Sequence, residues 1–197
     1  VTYTKKELIE LSKIFIKHDL IVISDEIYDE LTYDFNHTPI STLKGMKDRT
    51  VYLNGFSKSF AMTGWRVGYA CGPEKIISAM TKIHQYTMLC SPIMGQIGAI
   101  EALKNSTKSA LEMKREYKRR REFISEELNK TVLSCQKHDG AFYVFPSIKK
   151  TGMKSMDFSK ELLKKEKVAV VPGTSFGREG EGYIRICYAL ELDKLKE

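Results

Sequence analysis

The chain has 197 residues, with 32 lysines and arginines against 25 aspartates and glutamates, a formal charge of +7 at neutral pH. Hydrophobic residues make up 42% and charged residues 29%, a balance that fills a real core and argues against disorder, on a length that suits one ordinary domain or one and a half small ones. The positive charge is spread widely apart from one dense run at 114–121, so nucleic-acid binding is not expected, and the apolar runs are too short to span a bilayer.

Thr4-Lys5-Lys6-Glu7 reads as a capping box opening a helix, with Leu8, Leu11 and Phe15 at helical spacing and an end near Lys17-His18-Asp19. Residues 20–24, Leu-Ile-Val-Ile-Ser, form a continuous β-branched run of the kind that fills a strand covered on both faces. A second strand is expected at 50–53, running into Asn54-Gly55, and a third at 65–70, closed by Gly72-Pro73. Helical patterns follow at 74–88 and at about 92–103. Helix and strand in alternation predict an α/β sheet.

The texture changes at Asn105-Ser106-Thr107. A long charged helix to about Asn129 carries a sparse apolar stripe of Leu111, Tyr117, Ile124 and Leu128, and its basic run reads as a solvated face. A strand near 141–145, a helix at 157–165 and strands at 168–171 and 183–188 complete a small α+β unit. The domain boundary is therefore expected near 105, giving units of 1–105 and 106–197.

The residues with chemical potential stand where strands end or turn. Asp25 closes a strand too apolar to need a charge, on the edge where α/β sheets bind ligands, and Tyr28 follows three residues on. Lys58 lies in Gly55-Phe56-Ser57-Lys58-Ser59 after the next strand; a lysine among small neighbours in a crevice can serve as an amine nucleophile. Arg66 sits between Gly64 and Gly68, which admit a close backbone or ligand, and its fork suits phosphate or carboxylate. Singly, each has an ordinary explanation: a turn-forming aspartate, a packing tyrosine, a solvated lysine or arginine. The four histidines, at 18, 37, 84 and 138, show no mutual spacing and receive no role. The four cysteines, at 71, 90, 135 and 187, lie far apart without a Cys-x-x-Cys pair, so no metal site or disulfide framework is expected and a reducing, cytoplasmic compartment fits.

Taken together, Ser24-Asp25-Glu26-Ile27-Tyr28, Ser57-Lys58 and Met62-Thr63-Gly64-Trp65-Arg66-Val67-Gly68-Tyr69 resemble the class I/II aminotransferases, the fold-type I enzymes dependent on pyridoxal phosphate (PLP). Gly140-Ala141-Phe142-Tyr143, the stretch Val170-Val171-Pro172-Gly173-Thr174-Ser175-Phe176-Gly177 and Tyr183-Ile184-Arg185-Ile186-Cys187-Tyr188-Ala189 extend the resemblance in the same order along essentially the whole chain.

The resemblance implies that Lys58 forms the Schiff base with PLP and shuttles the proton, that Asp25 pairs with the pyridine nitrogen, and that Tyr28 hydrogen-bonds the ring's 3′ oxygen. Arg66 would grip the phosphate with Ser57 as a second contact, and Arg185 would take the substrate α-carboxylate. It further implies a ping-pong transfer of an amino group between an L-amino acid and a 2-oxo acid in a homodimer whose site lies at the interface.

Tyr28 stands where related carbon–sulfur lyases tend to carry histidine; such a lyase, and an aminotransferase-like sensor domain of a transcription regulator, are the alternatives. Family members are longer. The phosphate loop, stacking aromatic, gating segment and Asn-Pro-x-Gly motif of their amino-terminal half have no counterpart here. Val1-Thr2-Tyr3-Thr4, without an initiator Met or an apolar leader, resembles the segment directly after that motif, and residues 191–197 resemble the opening turn of a final helix. The chain is thus expected to be the carboxyl-terminal half of an aminotransferase, with 1–105 the later part of its large PLP-binding domain, a mostly parallel sheet with helices on both faces, and 106–197 its small α+β domain.

Overall fold

The structure is a computed structural model that describes residues 2–197. The described residues divide into two compact units, one ending at 114 and the other spanning 115–197.

In the first unit, helix α1 (Lys5–Lys17) begins with the full capping box. The Glu7 amide donates to Thr4 Oγ1, and the Glu7 carboxylate accepts from the Thr4 amide at 2.7 Å. Two of its orphan amide groups are thereby satisfied. Its inner face presses Leu8 against buried Ile40 and Met46, with Leu11, Phe15, Val22 and Leu43 around them. Strands β1 (Val22–Asp25), β2 (Thr50–Gly55) and β3 (Gly68–Cys71) form a sheet in the order β1-β2-β3, the first pair parallel and the second antiparallel. Helices α2 (Glu74–Thr87) and α3 (Ile93–Asn105) follow. Ala99 and Ala102 of α3 pack with Phe56 and Met62 in a second cluster, closed by Phe60 and Val67.

Two sequence expectations change here. The run at 20–24 is not covered on both faces: Ile23 is 72% exposed, because no layer among the described residues lies over that face of β1. The third strand starts at Gly68 rather than 65. Trp65 belongs to a 3-10 turn (Thr63–Trp65) and Arg66 turns left-handed at φ 56°, so the chain reaches the ladder two residues later. The outer face of α3 is also left open among the described residues, with Ile93, Ile97 and Leu103 all more than half exposed.

The second unit holds the later turns of α4 (Thr107–Asn129), the strands β4 (Tyr143–Val144), β5 (Val171–Pro172) and β6 (Ile184–Cys187), helix α5 (Ser155–Glu166) and a short α6 (Leu192–Lys196). The sheet is antiparallel in the order β4-β6-β5. The expected strand at 168–171 shrinks to Val171–Pro172, since Lys167 caps α5 at φ 60° and pairing begins only at Val171↔Arg185. Ile124 of α4, Val144, Ile148, Ile184 and Tyr188 are buried, and the Tyr188 hydroxyl donates to the Ala141 carbonyl at 2.7 Å.

Arg121 corrects the solvated-face reading of the basic run. It is fully buried and its guanidinium donates to the His138 carbonyl at 2.7 Å, while its neighbours Arg119 and Arg120 pair with Glu116 nearer the surface. Among the described residues no helix is long and apolar enough to cross a membrane. No group of three His, Cys, Asp or Glu side chains there could hold a metal, and the four cysteines are free.

Candidate active site

Strand direction brings the first set of site residues together. β1 and β2 run parallel, with Asp25 opposite Leu53, so their carboxyl ends share one edge of the sheet. β3 runs back against β2 with Gly68 opposite Gly55, so its start lies at that same edge. Asp25, the turn bearing Ser57 and Lys58, and Arg66 therefore all leave from one rim, the side on which α/β sheets hold ligands. The turn is closed by hydrogen bonds from the Phe56 amide to Val67 O and from the Met62 amide to Phe56 O, both 3.2 Å.

Asp25 is exposed and accepts from the Ile27 amide at 3.3 Å, which leaves carboxylate lone pairs for a ligand. Ser57 and Lys58 are half-buried. The Lys58 Nζ stands 5.9 Å from the centre of the Tyr28 ring, so these two predicted residues face each other across the rim. Arg66 is exposed, and its guanidinium donates to Thr63 O at 2.9 Å, closing its own turn. A left-handed conformation costs a non-glycine residue about 1–2 kcal/mol, and such strain persists where the surroundings impose it, often at functional sites. An open depression of about 410 Å³ adjoins it, lined by Gly64, Trp65 and Arg66 on one side and Pro92, Met94 and Gly95 on the other. The two flanking glycines differ. A Cβ on Gly68 would stand 3.0 Å from Asn54 O, so this glycine admits the neighbouring strand, whereas Gly64 has nothing within 4 Å and leaves space beside Arg66.

Two polar groupings beside this rim are absent from the sequence reading. The Asn54 amide nitrogen donates to Asp29 Oδ2 at 2.7 Å, and the Tyr52 hydroxyl donates to the same oxygen at 3.1 Å. Burial pushes the Tyr52 phenol well above its ordinary value, so it remains a donor and helps fix the residue that follows Tyr28. The signal for this group was the period-two spacing of Tyr52 and Asn54 on one face of β2.

The second grouping is Glu26 with His37. Glu26 is buried directly after Asp25, accepts from Ser24 Oγ at 2.7 Å and pairs with His37 Nε2. Burial would raise the Glu26 carboxyl, but hydrogen bonds from His37 and Ser24 outweigh it and hold the group below its ordinary value. The hydrogen bond to Glu26 raises His37, against its own burial. No sequence spacing announces this pair.

Arg185 belongs to the second unit, on β6. It is half-buried, and its guanidinium carbon lies 4.4 Å from the centre of the Tyr143 ring and 4.6 Å from that of Phe176. Among the described residues no carboxylate pairs with it. Its N–H fork has the geometry to take a carboxylate or phosphate.

The family model for aminotransferase class I and II matches residues 1–197. YugH of Bacillus subtilis, an aminotransferase by name, is 55% identical over 195 residues, covering 99% of this chain and 50% of that protein. The aspartate aminotransferase of Pyrococcus abyssi is 48% identical over 196 residues, covering 98% and 50%. The crystal structure of an aromatic aminotransferase from Pyrococcus horikoshii superposes with a TM-score of 0.95 at 48% identity, covering 98% of this chain and 53% of that one. The chain thus belongs to the class I and II aminotransferase family, and it spans about half the length of the relatives it matches.

Proposed function

We propose that this chain, as a member of that family, is the carboxyl-terminal half of a PLP-dependent aminotransferase that moves an amino group between an L-amino acid and a 2-oxo acid. The observation that carries the reading is the convergence of Asp25, Lys58 and Arg66 on one sheet rim, with the Lys58 amine facing the Tyr28 ring. The donor set suits PLP group by group. It offers an amine for an aldehyde carbon, a carboxylate for a basic ring nitrogen, a phenol for a ring oxygen, and a guanidinium and a hydroxyl for a phosphate.

In this reading Lys58 would attach the cofactor, Asp25 would pair with the ring nitrogen, Tyr28 would hydrogen-bond the ring oxygen, and Arg66 with Ser57 would hold the phosphate. The cofactor supplies an electron-withdrawing ring that makes the α-proton of an amino acid removable. Once freed by the substrate's own amino group, Lys58 Nζ would take up that proton and return it, while Asp25 would keep a positive charge on the ring nitrogen and Arg185 would hold the α-carboxylate by its fork. The names of the relatives support amino-group transfer over the lyase and regulator alternatives. Apolar faces such as those of Ile23 and α3, left bare within the chain, support a larger assembly that covers them, and we propose a homodimer of the full-length protein.

The test is borohydride reduction of the PLP-loaded full-length protein, followed by digestion and mass spectrometry. The reduced cofactor should sit on the peptide containing Lys58. Its recovery on Lys75 or Lys82 instead would remove the assignment.

A further inference from the structure

We propose that Tyr143 and Phe176 are positioning residues for Arg185: their rings lie against its guanidinium and hold it ready for a carboxylate that approaches along its N–H edge. The inference rests on the reading of Arg185 as the carboxylate-binding residue and names what prepares it.

The geometry follows from the small sheet. Tyr143 stands opposite Cys187 on β4, so it shares a face with Arg185 two residues away and meets it diagonally. Phe176 comes from the 3-10 turn Gly173–Phe176, which continues directly from β5, the strand that pairs with β6 at Val171↔Arg185. Both ring centres lie within 4.6 Å of the guanidinium carbon, well inside the range in which a cation is attracted to an aromatic face. Each ring is braced by another. Phe176 meets Phe145 edge-on at 5.9 Å, and Phe145 stacks on Tyr183 at 5.5 Å and 12°. Tyr143 contacts Phe142 at 4.9 Å.

A guanidinium is weakly hydrated, so aromatic rings packed against it cost it little solvation, and its N–H donors not turned toward the rings stay open to an anion. A free arginine samples many rotamers and loses that freedom on binding. One already held by rings has lost it before the ligand arrives. Because the rings act on the α-carboxylate receptor, their removal should weaken every substrate alike, whatever its side chain.

The experiment measures calorimetric Kd values of the PLP-loaded full-length protein for succinate and 3-phenylpropionate, the amino-free counterparts of aspartate and phenylalanine. Kinetic constants for the two amino acids are measured alongside. Phe176→Leu and Tyr143→Leu should each weaken both analogues by about fivefold, with a matching rise in KM and a kcat within about twofold of wild type. Phe176→Tyr and Tyr143→Phe, which keep the rings, should bind as wild type. Phe176 is 52% exposed, so its leucine variant should fold and carries the test alone if Tyr143→Leu does not.

Arg185→Lys separates the positioning role from the carboxylate reading. If it loses affinity while the leucine variants bind as wild type, the positioning role is wrong and the carboxylate reading stands. A Tyr143→Phe variant as weak as Tyr143→Leu likewise overturns the role of the ring. If Arg185→Lys binds both analogues as wild type, or wild type binds neither, the carboxylate reading fails and the positioning role falls with it.

Discussion

Replacing Gly173 by alanine puts a methyl group into a space already filled by backbone. The new Cβ would stand 2.1 Å from the Gly180 carbonyl oxygen and 2.7 Å from that of Tyr183. Neither atom is the end of a flexible side chain, so relief requires the two backbone segments to part by about 1 Å. That movement breaks the 2.8 Å hydrogen bond from the Gly173 amide to Tyr183 O, a loss of about 1 kcal/mol. Displacing the packed backbone adds about 2 kcal/mol, and the whole change is therefore about 3 kcal/mol.

Gly152 supplies the control. It has φ 69° with nothing within 4 Å of its added Cβ, so Gly152→Ala bears only the left-handed penalty of about 1 kcal/mol. Gly180→Ala should match Gly173→Ala, because its own Cβ would meet Gly173 O at 2.0 Å. The double variant should cost less than the sum, since one separation relieves both clashes. Urea denaturation of the full-length protein, followed by circular dichroism, reads all four variants. Equal shifts for Gly173→Ala and Gly152→Ala would refute the steric reasoning, and full additivity of the pair would show that the two glycines are not in one contact.

The Glu26–His37 pair predicts a stability window in pH. The depressed Glu26 carboxyl contributes stability above its ordinary range and loses it as pH falls through the folded value, while the raised His37 contributes below its ordinary value and loses it as pH rises through the folded one. The stability gap between wild type and Glu26→Gln should therefore be widest, at about 2 kcal/mol, between about pH 5 and 6.5, and narrow on both sides; a gap that grows above pH 8 would contradict it. Two arginines of one basic run should behave oppositely. Arg121→Met strips the His138 carbonyl of its buried donor and should cost about 2 kcal/mol. Arg119→Met removes an exposed ion pair with Glu116 and should leave the urea midpoint close to that of wild type.

Features that arise within a few residues of one another were legible in the sequence. The capping box at Thr4 and Glu7, the α2 and α3 helices and the long α4 could be read there because their hydrogen bonds and periodicity are local. Asp25, Lys58 and Arg66 were legible as candidates because each stands beside the polar or glycine-rich end of an apolar strand. Their family pattern tied them together before any geometry was known.

Only the folded chain shows which residues have neighbours. Ile23 sits in a run composed like a core strand, yet nothing in the described chain covers it, and Arg121 sits in a run composed like a surface, yet it is buried. His37 meets Glu26 across a turn, and Arg185 meets Tyr143 and Phe176 across strands that only the antiparallel register brings side by side. Burial and pairing of this kind come from contacts between segments distant in the chain, which local pattern does not encode. The physical cost of leaving a charge or an apolar face alone is then settled by what the folded backbone places against it.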